Sequence, residues 1–532
     1  MRSILLTVAL VSITAGVASA APHGVHPSLL SLRQVVANHQ KAVGTSTSGA
    51  TTELDVVLVT ADGMTGSMRT VYLGRDFRTD LERGEIHSSR GEYRGIKWHQ
   101  NPNGIVVLDS NIHKEDTINS SARRKLDHGF ARGAELLGMV DEPVHAYVLR
   151  IDPPSGRKEY LYYDAATFLL VRREYQIEGH EEITTYSDFR TVNNMTSAWH
   201  IHSEDVHHFN ISDYVVQSST PGIHVDPASL TIPASAPTHV ALGASKALIP
   251  TSFDADRIIV HTTISHHKVD LLLDSGSSTV LLNNAVVKAL GIKIVGKMSE
   301  TAGGRFSAGF ALLPRMKIGS AVASNLVVQT APFEELQSNG EPIAGLLGFD
   351  ALYGSVVHID YMKHSVELLD PASFVPPVGA RVLAVADGDE VPVVHAAIAG
   401  VLGTNFIMDT GADRSMVFQH FVLVHPNAVR DQGLGRQIEI AWPASATIGG
   451  VGGTFAVQER QVGALGLAGL NLPNWLVYLA KNAPGFEHED FDGLIGQDAL
   501  RFFDVYLDYS HLKVYLVPNE RYVGRFGPAG GA

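Results

Sequence analysis

From Glu53 to about Ser218, hydrophobic and polar positions alternate with a period of two in short runs. Examples are Glu53-Leu54-Asp55-Val56-Val57-Leu58-Val59, Thr70-Val71-Tyr72-Leu73 and Tyr160-Leu161-Tyr162-Tyr163-Asp164. Such runs predict half-buried strands, and Ala61-Asp62-Gly63 and Asn101-Pro102-Asn103-Gly104 between them read as turns. Ahead of the strands, residues 29–42 have helical periodicity with a start at Pro27-Ser28. A second helix-like stretch interrupts the strands near residues 131–140. Residues 24–225 therefore read as an N-terminal antiparallel β-rich domain. Residues 226–252 carry Pro227, Pro233, Pro237 and Pro250 among Ala, Ser and Thr, the composition of a linker or an extended crossing segment. The Gly-rich end, residues 521–532, reads as a disordered tail.

Beyond residue 252 the pattern repeats itself. Val260-His261-Thr262-Thr263-Ile264 answers to Val394-His395-Ala396-Ala397-Ile398, and Leu271-Leu272-Leu273-Asp274-Ser275-Gly276 to Phe406-Ile407-Met408-Asp409-Thr410-Gly411. Gly345-Leu346-Leu347-Gly348-Phe349-Asp350 answers to Gly493-Leu494-Ile495-Gly496-Gln497-Asp498, and Ile359-Asp360-Tyr361 to Leu507-Asp508-Tyr509. Two related lobes follow, 253–375 and 376–520, each opening with a hairpin whose second strand runs into an Asp-Ser/Thr-Gly triplet. A helix is expected after the first triplet, capped by Asn283 or Asn284, with an apolar face of Val286, Ala289 and Leu290, and ended by Gly291.

The paired triplets carry the candidate chemistry. Hydrolysis of a peptide without a metal or a nucleophile needs one group to activate water and another to protonate the amide carbonyl. Two carboxyls a few ångströms apart cannot both ionise, so their pKa values split and they share a proton. Asp274 and Asp409 are the candidates, and a glycine after each lets the backbone come close to its mate. One Asp-Thr-Gly alone is an ordinary turn sequence. Two of them, each after an apolar strand and each followed by the same later glycine motif, point to a dyad. Asp350 and Asp498 also repeat but are placed to cap helices, and Asp360 and Asp508 to end strands. The Ser277 hydroxyl is expected to reach the Asp274 carboxylate, which Ala412 cannot do for Asp409.

Residues 254–518 resemble the retropepsin-like and pepsin-like aspartic proteases, with both lobes fused in one chain. Asp274-Ser275-Gly276-Ser277 and Asp409-Thr410-Gly411-Ala412 match that family's active-site motif, and Gly345-Leu346-Leu347-Gly348 and Gly493-Leu494-Ile495-Gly496 match the element that packs beneath it. Thr447-Ile448-Gly449-Gly450-Val451-Gly452-Gly453 resembles a retroviral-type flap tip, with Thr301-Ala302-Gly303-Gly304-Arg305 a shorter counterpart. The resemblance implies a mainly β, bilobal acid-protease fold preceded by the antiparallel sheet domain. It implies Asp274 and Asp409 as catalytic residues and Ser275 and Thr410 hydroxyls bonding across the lobe junction. Ser275, Gly276, Ser277, Thr410, Gly411 and Ala412 would form the supporting loops. Substrate would be held by Gly303, Gly304, Gly449, Gly450, Gly452 and Gly453, with no cofactor and no metal. Neither presumed flap carries a tyrosine, unlike the pepsin pattern, and residues 418–446 are longer than their first-lobe equivalent. The sequence 163–173 with 185–190 resembles a periplasmic lipoprotein-carrier type of sheet.

Composition narrows the setting. The chain of 532 residues is 45% hydrophobic and 18% charged, a globular composition with room for several cores, and its formal charge of −14 excludes nucleic acid as the main partner. Arg2, the apolar run 4–17 and Ala18-Ser19-Ala20 read as a signal peptide over residues 1–20, and no later run is apolar enough for an integral span. The absence of cysteine excludes thiol catalysis, disulfides and cysteine-ligated zinc. The expectation is an exported protein, periplasmic or secreted and bacterial, monomeric with its lobes as an intramolecular pseudo-dimer, acting on peptide or protein substrates. The alternative is a binding or carrier protein for an apolar or lipoprotein ligand on a non-proteolytic bilobal scaffold. A third reading is a self-processing protein cut in the Pro-rich segment. His200 and His202, on one strand face near His207 and His208, form a weaker candidate metal pair. A fragment starting near Thr251 is expected to fold alone.

Overall fold

The computed structural model describes residues 22–44, 51–60, 65–84, 86–108, 114–154, 156–177, 180–205, 211–236, 238–301, 305–332, 337–338, 341–386, 390–429, 446–450, 453–480 and 491–528. The fold is mainly β. Thirteen strands form one antiparallel sheet from two meanders. One runs from Thr51–Thr60 out to Val106–Leu108, the other from Ala134–Val140 to Ile211–Pro221, and they join where Thr51–Thr60 pairs with Ile211–Pro221. The expected turn at Ala61-Asp62-Gly63 lies outside the described residues.

Helix Leu32–Val43 starts at Ser31, where a capping box with Gln34 satisfies the first free N–H groups. The start expected at Ser28 is displaced, because that hydroxyl is engaged locally with the backbone of Leu30. The second helix is Lys114–Asp127, not residues 131–140; Ala134–Val140 is instead an edge strand paired with Ala146–Ile151 through a bulge at Leu136/Gly138. Val35, Val36 and Leu126 from the two helices pack on Tyr147, Leu149 and Tyr163 of the sheet. The segment expected as linker or crossing is a crossing one. Val240–Ala241 pairs with Ala321–Ala331, Lys246–Ile249 with Ser365–Leu369, and Thr251–Asp254 with Arg257–Ile264.

Each lobe opens as its repeat implies. Hairpins Arg257–Ile264/His267–Leu273 and Val393–Ile398/Val401–Met408 turn through Ser265-His266 and Ala399-Gly400, all at positive φ. Tight turns of that handedness match the twist of the flanking strands. Gly345–Leu347 runs parallel to His267–Leu273 and antiparallel to Leu281–Asn283. Gly493–Ile495 does the same against Val401–Met408 and Met416–Phe418. A six-stranded sheet joins the lobes at Val356–Asp360 and Phe503–Asp508, with Val356 opposite Asp508 and Asp360 opposite Asp504. One apolar core, including Leu271, Leu273, Leu347, Phe406, Met408 and Ile495, runs through both lobes.

Helix Asn284–Ala289 follows the first triplet, capped by Asn283. Its fully buried residue is Val287, with Val286 and Leu290 packed at the margin. The tail is ordered further than expected: Asn519 caps helix Glu520–Phe526, whose Tyr522 is buried and packs at a tilt against Phe503. Glycine composition misled there, because the aromatic positions of this helix find partners in the second lobe. Residues 529–532 lie outside the described residues.

Candidate active site

The loops after the two apolar strands meet at the lobe junction. Asp274 N donates to Leu347 O at 3.1 Å and Asp409 N to Ile495 O at 2.9 Å, so each aspartate is fixed by its own Gly-rich strand. The next residue crosses over. Ser275 N donates to Thr410 Oγ1 (2.9 Å) and Thr410 N to Ser275 Oγ (3.0 Å). Ser275 Oγ then donates to Met408 O (2.7 Å) and Thr410 Oγ1 to Leu273 O (2.9 Å). Both hydroxyls are fully buried, so each lobe satisfies groups the other would leave unpaired. Thr410→Val would strand Ser275 N and Leu273 O. We expect a loss of about 2–4 kcal/mol in unfolding free energy, since two buried polar groups lose their partner. Denaturant titration reads it, and a loss below about 0.5 kcal/mol, the size of an ordinary surface change, would contradict the clasp.

Gly276 and Gly411 are required by closeness. A Cβ on Gly276 would lie 2.7 Å from Asp409 Cγ, and one on Gly411 2.5 Å from Asp274 Cγ. The two carboxyls face each other across the junction, each within 3 Å of where a Cβ on the other lobe's glycine would stand. Gly276 N donates to Asp274 Oδ1 at 2.9 Å. Asp409 Oδ1 accepts from Gly411 N at 2.7 Å and Ala412 N at 3.0 Å. Each carboxyl keeps a partly exposed edge while protein surrounds its other sides. Burial first, then the Asp409 charge, holds Asp274 well above the usual carboxylate range. Burial also raises Asp409, against the backbone donors that favour its charge. The backbone donors on Asp409 favour its charged form more than those on Asp274 do, an asymmetry that favours Asp274 as holder of a proton shared by the pair.

Several site residues sit differently from the sequence expectation. The Ser277 hydroxyl donates to Thr279 O (2.8 Å), not to Asp274, and the Ser277 N–H closes on the Asp274 backbone carbonyl at 3.3 Å; the N–H that Asp274 Oδ1 accepts is that of Gly276. Asp350 and Asp498 lie within the first turns of Phe349–Leu352 and Gln497–Leu500 and cap neither helix. They brace the active-site loops instead, Asp350 through Thr279 Oγ1 (2.7 Å) and Asp498 through Ser415 N and Oγ (both 2.8 Å). Burial pushes both up to about 6. Asp360 ends its strand as expected, accepting from the N–H groups of Met362 and Lys363.

Ala446–Gly450 and Gly453–Leu467 form the hairpin expected of the longer flap, with Gly450 opposite Gly453 and an exposed Gly449. Gly303, Gly304 and Gly452 lie outside the described residues. Sequence reading missed two features. Arg257 forms a forked pair with Asp413 (2.8 Å from both Nε and Nη2), tying the first hairpin to the residue after Ala412. The buried Tyr509 hydroxyl, raised by burial and then by the charges of Asp274 and Asp409, packs edge-on against Phe349. Only residue 509's place in the repeat could have signalled it.

His200 and His202 do share a face, and each spends one ring nitrogen on Asp213 (2.8 and 2.9 Å). His207 and His208 lie outside the described residues. His358, Asp360 and Asp504 group on the outer face of the six-stranded sheet, where Lys363 Nζ already neutralises Asp360 at 2.7 Å. Among the described residues no helix is long and apolar enough to cross a membrane.

Residues 260–351 match the aspartyl protease family. The match includes the Asp274 triplet and ends at the Gly345–Leu347 strand and its short helix, making this an aspartyl-protease-like region. No curated protein matches the chain. Among solved structures, an aspartic proteinase from Irpex lacteus is 12% identical, covering 53% of this chain and 99% of its own, with a TM-score of 0.31. A LolA superfamily protein from Nitrosomonas europaea is 11% identical over 38% of this chain and 98% of its own (TM-score 0.29). A DUF1329 family protein from Desulfovibrio piger is 13% identical over 38% and 95% (TM-score 0.30).

Proposed function

We propose that the protein is an exported aspartic endopeptidase, acting on a peptide held between its lobes under the Ala446–Gly450/Gly453–Leu467 hairpin. The observation that carries this reading is the facing pair of raised carboxyls, Asp274 and Asp409, held by a reciprocal clasp. A water between the carboxyls gives a proton to Asp409 as its oxygen attacks the peptide carbonyl, and Asp274 gives its proton to the carbonyl oxygen. Collapse of the resulting diol returns a hydroxyl proton to Asp274. Asp409 protonates the departing nitrogen as the C–N bond breaks. Both carboxyls end as they began, and no cofactor is needed. Export rests on Arg2, the apolar run and Ala18-Ser19-Ala20. A bacterial periplasmic or secreted location, and a monomer that needs no second copy because both aspartates come from one chain, belong to the same proposal. The test is hydrolysis of a denatured protein or peptide library at acid pH, with and without a statine-type inhibitor. Hydrolysis stopped by the inhibitor is expected; no hydrolysis by the full chain between pH 3 and 7 would overturn the reading.

A further inference from the structure

The two lobes solve the same problem with different donors. In the second lobe, buried Asp498 is satisfied within its own repeat, by Ser415 N, Ser415 Oγ and Ala499 N. The first-lobe residue answering to Ser415 is Val280, which has no hydroxyl. Its buried Asp350 takes Thr279 Oγ1 on Oδ2 and, on Oδ1, Asn101 Nδ2 at 3.0 Å. Asn101 belongs to the turn between strands Ile96–Gln100 and Val106–Leu108 of the thirteen-stranded sheet. The same amide nitrogen reaches Glu390 Oε1 at 2.6 Å, at the entry to the second lobe.

The turn is built to present that amide. Asn101 Oδ1 accepts from Asn103 N and Ile105 N (3.0 and 3.1 Å), which fixes the side chain and aims its nitrogen outward. Asn103 makes a two-way amide pair with Val327, donating to its carbonyl at 2.9 Å and accepting from its N–H at 2.8 Å. His239 Nε2 lies 2.9 Å from Asn103 O. Ile105 and Val107 are buried in the core shared by the lobes.

We infer that Asn101 is a positioning residue for the dyad: through it the N-terminal sheet holds Asp350, and with Asp350 the Ser277–Thr279 loop that closes on the Asp274 carbonyl and fixes the preceding Gly276, whose N–H the Asp274 carboxylate accepts. This rests on the peptidase reading above and adds its regulation by the N-terminal sheet. The relay is short. Thr279 is held by Asp350, the Ser277 hydroxyl is held by Thr279 O, and Ser277 O accepts from Phe349 N at 3.0 Å. The groups facing Asp350 are Thr279, Asn101, Asn103 and His239, with Glu390 across the Asn101 amide. Losing the Asn101 donor leaves a buried carboxylate underbonded, so the loop loosens and the Gly276 N–H next to it is drawn off the Asp274 carboxylate. A carboxylate that loses a donor holds its proton more tightly. The alkaline limb of the activity profile then moves to higher pH.

The experiment uses the full chain with Asn101→Ala, Asp350→Asn and the double variant. A single lost donor to a charged group is worth about a factor of ten. Above about pH 6, where Asp350 is charged, we expect kcat to fall about tenfold in Asn101→Ala with KM within about twofold, and the alkaline limb to rise. In the Asp350→Asn background, where no charge awaits the donor, the second substitution should change little. An unmoved kcat and limb, or the same loss in both backgrounds, overturns the inference; a purely structural role lowers active enzyme without moving the limb. If Asn101→Ala does not fold, Asn101→Asp decides. It keeps the turn's acceptor but sets a carboxylate against Asp350 and Glu390, so its activity relative to wild type must fall as pH rises through about 6, where Asp350 ionises. A constant ratio overturns the inference. Hydrogen exchange at 277–283 separates the two readings. Faster exchange in Asn101→Ala, in a chain that hydrolyses nothing, removes the peptidase reading and leaves the coupling; unchanged exchange removes the coupling whatever the activity.

Discussion

Asp274→Asn and Asp409→Asn are each expected to lower kcat by at least about a thousandfold, at the upper end of what positioned acid–base groups contribute. Each removes one half of a proton exchange that needs both, so the double variant should lose little more than either single one. The fold should survive. Asn keeps an acceptor oxygen for Gly276 N in one case and for Gly411 N and Ala412 N in the other. Stability should even increase at neutral pH, because each substitution removes an ionisation that burial opposes. Lost activity with an unchanged or raised melting temperature is the combined signature. More than a tenth of wild-type activity in either variant, from a preparation free of other proteases, would remove the dyad from the mechanism.

What the sequence made legible was whatever repeats or follows local pattern. The duplicated triplets located the dyad and both opening hairpins, because an apolar strand entering Asp-Ser/Thr-Gly is a local signal written twice. Helix Lys114–Asp127 was not legible: within its polar sequence few apolar positions recur at helical spacing, and it is held by tertiary burial of Leu126. Adjacent Leu136 and Leu137 imitated a helix in what is a bulged edge strand. Proximity in sequence points the Ser277 hydroxyl at the carboxylate, whereas Thr279 O lies two residues on and competes for it. Least legible was the turn at Asn101. It reads as a surface turn, yet it donates to a residue 249 positions away. A fragment from Thr251 would lack Asn101, Asn103, Ile105 and Val107, which argues against the independent fold that the repeat alone suggested.

The largest effect on stability is expected from pH. Burial pushes Asp350 and Asp498 up to about 6, while an unfolded aspartate titrates near 3.9. A carboxyl whose folded value is raised contributes stability that is full below the unfolded value and is lost as pH rises through the folded one. At about 1.4 kcal/mol per pH unit, two units of difference give each residue on the order of 3 kcal/mol between pH 4 and 7. The raised dyad adds in the same direction. Asp256, paired with Arg501 and Arg521, and Asp360, paired with Lys363, are lowered despite burial, so their stability is lost on the other side, as pH falls below about 4. Asp256 is partly and the Lys363 ammonium largely exposed to solvent, which weakens the share of both pairs. Maximum stability should therefore lie near pH 4–5. Asp498→Asn isolates the effect, since the amide oxygen still accepts from Ser415 and Ala499 but cannot ionise. Denaturant unfolding at pH 4.5 and 7.5 should show wild type losing several kcal/mol at the higher pH, and Asp498→Asn losing about 2–3 kcal/mol less. Wild type that is equally stable at both values, or a variant with the same pH slope, would mean that Asp498 is ionised in the folded protein at little cost.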